Sequence, residues 1–124
     1  MLVIEDDKVA FDLLGRFLAK EGLRVTAART GADGLQQARQ LKPQLITLDV
    51  VLPDRNGFEV LEQIQSDPVL RQIPVFVISM VDNASRGLNL GAVEYMTKPI
   101  NWRRLSGALR KHLGEEALAH AAVK

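Results

Sequence analysis

The chain has no cysteine, which excludes disulfides, thiolate metal sites and cysteine nucleophiles. It has almost no net charge. Sixteen Lys and Arg stand against 15 Asp and Glu, giving +1, so no strong field draws it to nucleic acid or to a membrane surface. No apolar run is long enough to span a bilayer, and Met1-Leu2-Val3-Ile4 meets Glu5 too soon to form a secretory signal. A cytoplasmic location is the expectation. There is no internal repeat and no low-complexity block. His112 and His120 have no clustered partners, so neither reads as a metal ligand.

What is present is the balance of an ordinary globular protein: 124 residues, 47% hydrophobic and 25% charged, enough for one domain with one core. Leu2-Val3-Ile4 is a short run, apolar throughout, as in a strand buried on both faces. It starts almost at residue 1, which suggests a module excised from a longer chain. Phe11, Leu14, Phe17 and Leu18 then recur at helical spacing, with Leu13 widening the stripe; Asp6 or Asp7 caps this helix and Gly22 ends it. Arg24 to Ala28 alternates and reads as an edge strand. Thr30 caps a helix carrying Leu35, Ala38 and Leu41, which Pro43 stops.

Leu45-Ile46-Thr47-Leu48 is the next buried strand and runs into Asp49, followed by a Pro53/Asp54/Asn56/Gly57 turn. Val60, Leu61 and Ile64 mark a third helix, and Pro74 to Ser79 a fourth strand. Asn83 to Leu90 is a weak helix diluted by Gly87 and Asn89. A short strand, Glu94 to Thr97, ends at Lys98-Pro99. Asn101 caps a last helix with Trp102, Leu105, Leu109 and Leu113 on one face, Arg103, Arg104, Arg110 and Lys111 on its solvated side, and Gly114 at its close. Five strand–helix alternations with strands apolar throughout imply an α/β fold, a doubly wound sheet with right-handed crossovers. The domain is expected over 1–114, with 115–124 an Ala-rich tail, either a short helix or the start of a linker.

Each central strand ends in a polar residue: Glu5-Asp6, Asp49 and Ser79, with Lys98 after the fifth. In a parallel sheet these ends share one rim. Three carboxylates gathered there repel one another, and two remedies fit: a hard cation such as Mg2+ and the ammonium of Lys98. Asp49 can then act as a nucleophile toward a phosphoryl group.

Leu2-Val3-Ile4-Glu5-Asp6-Asp7, Asp49 with Pro53 and Gly57, Ile78-Ser79 and Tyr95-Met96-Thr97-Lys98-Pro99 together resemble the response-regulator receiver domain of two-component signalling, over residues 2–113. The stretch from Leu90 to Asn101, with Ile73-Pro74, is similar to receivers attached to hybrid histidine kinases. The resemblance implies a flavodoxin-like (βα)5 sandwich with sheet order 2-1-3-4-5. It implies Asp49 as phosphoacceptor, Asp6 and Asp49 as Mg2+ ligands, Glu5 acting through water and the Val51 backbone carbonyl completing the metal site. Ser79 matches the switch hydroxyl, Tyr95 the aromatic that changes rotamer, and Lys98 the group that bonds phosphoryl oxygens beside a cis Pro99. The implied partners are a histidine kinase or histidine phosphotransfer domain, and a dimer or output partner on the 83–113 face.

Two residues depart from the family pattern. Met80 stands where a small residue is usual and is expected to crowd Tyr95, and Glu5 replaces the commoner aspartate. Val51 and Val81 stand at the positions that flank the approach of hydrolytic water. Both are apolar, so a long-lived phosphoryl group is expected.

The alternative is a Mg2+-dependent phosphohydrolase with Asp49 as nucleophile. Phosphatases of the haloacid-dehalogenase type carry a general-acid aspartate two positions on, where this chain has Val51, which transfers no proton. A flavin or nucleotide binder needs a first loop that donates to phosphate, and Glu5-Asp6-Asp7 repels one.

Overall fold

The computed structural model describes residues 1–114; the expected tail, with His120, lies outside the described residues. Five strands, β1 (Leu2–Ile4), β2 (Thr26–Ala28), β3 (Ile46–Leu48), β4 (Val75–Ser79) and β5 (Glu94–Thr97), alternate with five helices, α1 (Lys8–Lys20), α2 (Gly31–Leu41), α3 (Gly57–Ser66), α4 (Ala84–Asn89) and α5 (Trp102–Leu113). The strands form one sheet in the order β2-β1-β3-β4-β5, every pairing parallel, as expected. β1, β3 and β4 are buried on both faces, which is why they carry no alternation, while β2 at the edge exposes Ala27.

Two layers of apolar side chains sandwich the sheet. Ile4, Leu35, Leu48, Phe58, Leu61, Ile64, Val77 and Tyr95 belong to one. Val3, Leu14, Leu18, Phe76, Ile78, Met96, Leu105 and Leu109 belong to the other. The helices are set by local caps. Asp7, not Asp6, accepts from the Val9 and Ala10 N–H groups; Thr30 accepts from Asp33, Asn56 from Phe58 and Asn101 from Arg104.

Three apolar positions differ from expectation. Leu13 is 53% exposed and Leu41 50%. The α1 stripe is narrower than its apolar residues suggest because the sheet covers only one face of the helix. Leu41 ends α2, where the chain turns away through Lys42 at φ 46°. Trp102 leans on Phe17 with ring centroids 4.9 Å apart and stays partly exposed at the start of α5, unlike the buried Leu105 and Leu109. Among the described residues no helix is long and apolar enough to cross a membrane.

Candidate functional site

The register of the sheet builds the site. Ile4 pairs with Leu48, and Leu48 with Val77, so Glu5, Asp49 and the end of β4 emerge side by side. The Asp49 N–H donates to the Ile4 carbonyl at 3.0 Å, and the Lys98 N–H donates to the Ser79 carbonyl at 2.8 Å. Lys98-Pro99 is cis.

The loop after Asp49 folds tightly back. The Gly57 N–H donates to the Val50 carbonyl at 2.7 Å, and Val51 bridges to Asn56. A Cβ on Gly57 would lie 2.2 Å from the Asp49 carbonyl oxygen and 2.6 Å from the Val50 Cα, so no side chain fits there. The loop is also tied to α2: the two carboxylate oxygens of Asp54 accept from the Gly31 N–H at 2.8 Å and the Ala32 N–H at 3.0 Å. Asp54 reads in sequence as a turn former, and only the approach of α2 shows this second use.

Asp49 is buried and accepts three hydrogen bonds. The Ser79 hydroxyl donates to Oδ1 at 2.6 Å, the Val51 N–H to Oδ1 at 3.0 Å, and the Lys98 ammonium to Oδ2 at 3.0 Å. Lys98 also donates to Glu5 Oε1 at 2.5 Å, so its ammonium lies between two carboxylates. Burial opposes the charge on Asp49, but the neighbouring Glu5 carboxyl and its donors Ser79, Val51 and Lys98 hold it below the ordinary carboxylate range. Burial and the adjacent Asp49 push Glu5 up to about 7, against the pull of Lys98. Burial disfavours the charge on Lys98, yet its two carboxylate partners raise its pKa.

Asp6 is exposed and stands at the rim of the same cleft. That cleft, about 190 Å³, is lined by Glu5, Asp6, Asp7, Asp49, Val51, Met80 and Lys98. Thus Glu5, Asp49, Ser79 and Lys98 are in direct contact, Asp6 borders them, and Val51 turns its side chain to solvent, 61% exposed. Among the described residues no three acidic or histidine side chains converge as a metal cage by themselves.

Tyr95 lies inward. Its hydroxyl donates to the Val81 carbonyl at 2.5 Å and accepts from the Asn83 N–H at 3.4 Å. The Val81 N–H in turn donates to the Ser79 hydroxyl at 3.3 Å, so one chain of hydrogen bonds runs from Asp49 to Tyr95. Burial pushes the Tyr95 phenol up, which keeps it a donor.

The expected crowding by Met80 is not found. Its side chain is 78% exposed and lines the cleft while Tyr95 is buried, because successive residues leave the strand end in opposite directions. His112 is not without a partner: its Nε2 lies 3.4 Å from Glu94, and its ring meets Phe76 edge-on. Arg104 is not purely solvated either, since it donates to the Tyr95 carbonyl at 3.0 Å. In both cases β5 packs close enough to α5 to supply an acceptor.

Residues 1–110 match the family described as the response regulator receiver domain. Protein PilH of Pseudomonas aeruginosa is 34% identical over 104 residues, 82% of this chain and 86% of that protein. Two further curated relatives, both transcriptional regulatory proteins, are about twice as long; the chain covers 49% and 50% of them. Among solved structures, the phosphorylated cyanobacterial phytochrome response regulator RcpA is 31% identical with a TM-score of 0.76, covering 90% of this chain and 91% of that one. The Mn2+-bound response regulator Rcp1 is 27% identical with a TM-score of 0.78, covering 92% and 93%. The chain belongs to the response-regulator receiver family, phosphoacceptors of two-component signalling rather than conventional enzymes.

Proposed function

We propose that Asp49 is the phosphoacceptor of this receiver and that its phosphoryl group comes from a phosphohistidine on a histidine kinase or histidine phosphotransfer domain. The observation that carries this is the setting of Asp49: open to the cleft, held by Ser79 and Lys98 at 2.6 and 3.0 Å, with its carboxyl kept below the ordinary range by these neighbours and Glu5. An Asp49 oxygen forms a new P–O bond as the P–N bond of the phosphohistidine breaks, and the electron pair leaves with the imidazole nitrogen. Lys98 and Ser79 then bond the phosphoryl oxygens, which replace the carboxylate oxygens they hold in the resting site.

The cleft also suits a divalent cation. Its donors are hard carboxylate oxygens, and Mg2+ needs only one or two of them besides water. Asp6 and Asp49 would bind it directly, with the Val51 carbonyl, and Glu5 through water. When bound, Mg2+ neutralises charge on the phosphoryl oxygens. The Mn2+-bound Rcp1 supports this reading.

Movement of Ser79 toward a phosphoryl oxygen pulls on the Val81 N–H and so on the hydroxyl of Tyr95. The surface of α4, β5 and α5, within 83–113, is therefore the face that changes and meets a dimer or output partner. The domain spans 1–114. The test is intact mass after incubation with acetyl phosphate and Mg2+. One added phosphoryl group is expected in the wild type and none in Asp49→Asn; undiminished modification in that variant refutes the assignment.

A further inference from the structure

α4 has only six residues, Ala84–Asn89, and carries Gly87 in its middle, where glycine weakens a helix relative to alanine. Backbone conformation does not require it, because the non-helical positive φ values in this region belong to Gly91 and not to Gly87. Space does. A Cβ on Gly87 would lie 2.4 Å from Cδ2 and 2.7 Å from Cε2 of Tyr95, closer than real Cβ contacts come. The ring cannot retreat sideways without losing the Val81 carbonyl and the Asn83 N–H, its two partners in the β4–α4 loop. Beside the Tyr95 ring, Phe58 Cε1 lies 3.7 Å from the same Cβ position; Arg86 lies 4.6 Å from the ring centroid of Phe58, and the Ala92 N–H donates to the Gly87 carbonyl at 3.0 Å. α4 is thus held against the core at the one residue where the tyrosine needs room.

We infer that Gly87 is a positioning residue for Tyr95: the missing side chain is the recess that admits the ring to its inward position and thereby fixes the Val81–Asn83 loop behind Ser79. Any side chain at 87 turns the ring outward, since the aromatic is the only one of the two that can leave by rotating about its own side-chain bonds. The relevance to signalling rests on the reading of Tyr95 as the aromatic that responds at Asp49; the packing itself does not.

The chain holds one tyrosine, so 3-fluorotyrosine places a single 19F label on Tyr95 of the full chain. In the wild type the resonance should be insensitive to exchange of H2O for D2O. In Gly87→Ala it should move and acquire a solvent isotope shift, with the far-ultraviolet circular dichroism unchanged. A shielded, unmoved resonance in Gly87→Ala overturns the inference. A double-mutant cycle decides the matter even when Gly87→Ala folds poorly. With Tyr95 present, Gly87→Ala should lower the melting temperature by roughly 5 °C or prevent folding. In a Tyr95→Ala background the same change should cost nothing or stabilise, because only the helix preference for alanine remains. Equal losses in the two backgrounds overturn the inference. Addition of beryllofluoride and Mg2+ to the labelled wild type tests the separate reading. An unmoved 19F resonance there would remove Tyr95 from the response to Asp49, while the cycle still reports on Gly87.

Discussion

Replacing Lys98 with methionine isolates the electrostatics of the site. The ammonium stands 2.5 Å from Glu5 and 3.0 Å from Asp49, and among the described residues no other cation lines that cleft. Its loss leaves two buried carboxylates facing each other. Breaking a buried pair costs about 3–5 kcal/mol when the remaining charge cannot be relieved. Here it can be, because Glu5 already binds a proton at about 7, and it binds one more readily once the ammonium is gone. The deficit near neutral pH is therefore held to roughly 2–3 kcal/mol, or on the order of 10 °C in melting temperature for a chain of this size.

The pH dependence follows from the raised value. The folded protein holds a proton on Glu5 that the unfolded chain releases above about 4.5. Stability linked to that proton is complete below the unfolded value and is lost as pH rises through the folded one. Lys98→Met should therefore unfold close to the wild-type temperature near pH 5 and far below it near pH 8. Added Mg2+, which supplies another counter-charge and binds only the folded site, should restore part of the loss at the higher pH. The assay is thermal unfolding by circular dichroism at both pH values with and without Mg2+. A deficit equal at the two pH values would refute the reasoning.

Thr47 sits in the centre of β3, 1% exposed, and its hydroxyl has no hydrogen-bond partner among the described residues. Thr47→Val should raise stability by about 1 kcal/mol in a denaturant titration, and a loss of that size would show the hydroxyl to be bonded in solution. Val51 at the cleft rim and Val81 behind Ser79 present no group that orients water. Val51→Asn and Val81→Glu should each speed the decay of phosphorylated protein about tenfold, less than the roughly hundredfold or more that a fully positioned general acid or base contributes. Decay at the wild-type rate in both variants would show that the apolar pair does not set the lifetime.

Local chemistry made much of this protein legible from its residues alone. The strands of the sheet interior, Thr47 and Ser79 aside, are apolar because both faces are covered, and that pattern implies a parallel α/β sheet. Thr30 and Asn101 could be read as caps, and Asp7 as one of two candidates, because each can satisfy free N–H groups within its own turn. Glu5, Asp49, Ser79 and Lys98 could be assigned to one rim because parallel strands place all their carboxyl ends on the same side.

Relations across the sheet were decided only by the tertiary structure, because they depend on distances between segments that the chain does not order locally. That Lys98 lies between Glu5 and Asp49 while Asp6 stays at the rim depends on the register of β1, β3 and β5. That Met80 faces out while Tyr95 faces in depends on which side of the sheet each residue leaves. Gly87 reads in sequence as a flaw in a weak helix, and Asp54 as a turn residue. Each gains its meaning from an element far along the chain, the ring of Tyr95 for one and the first N–H groups of α2 for the other. Periodicity records which face of an element is buried, but it carries no record of what that face meets.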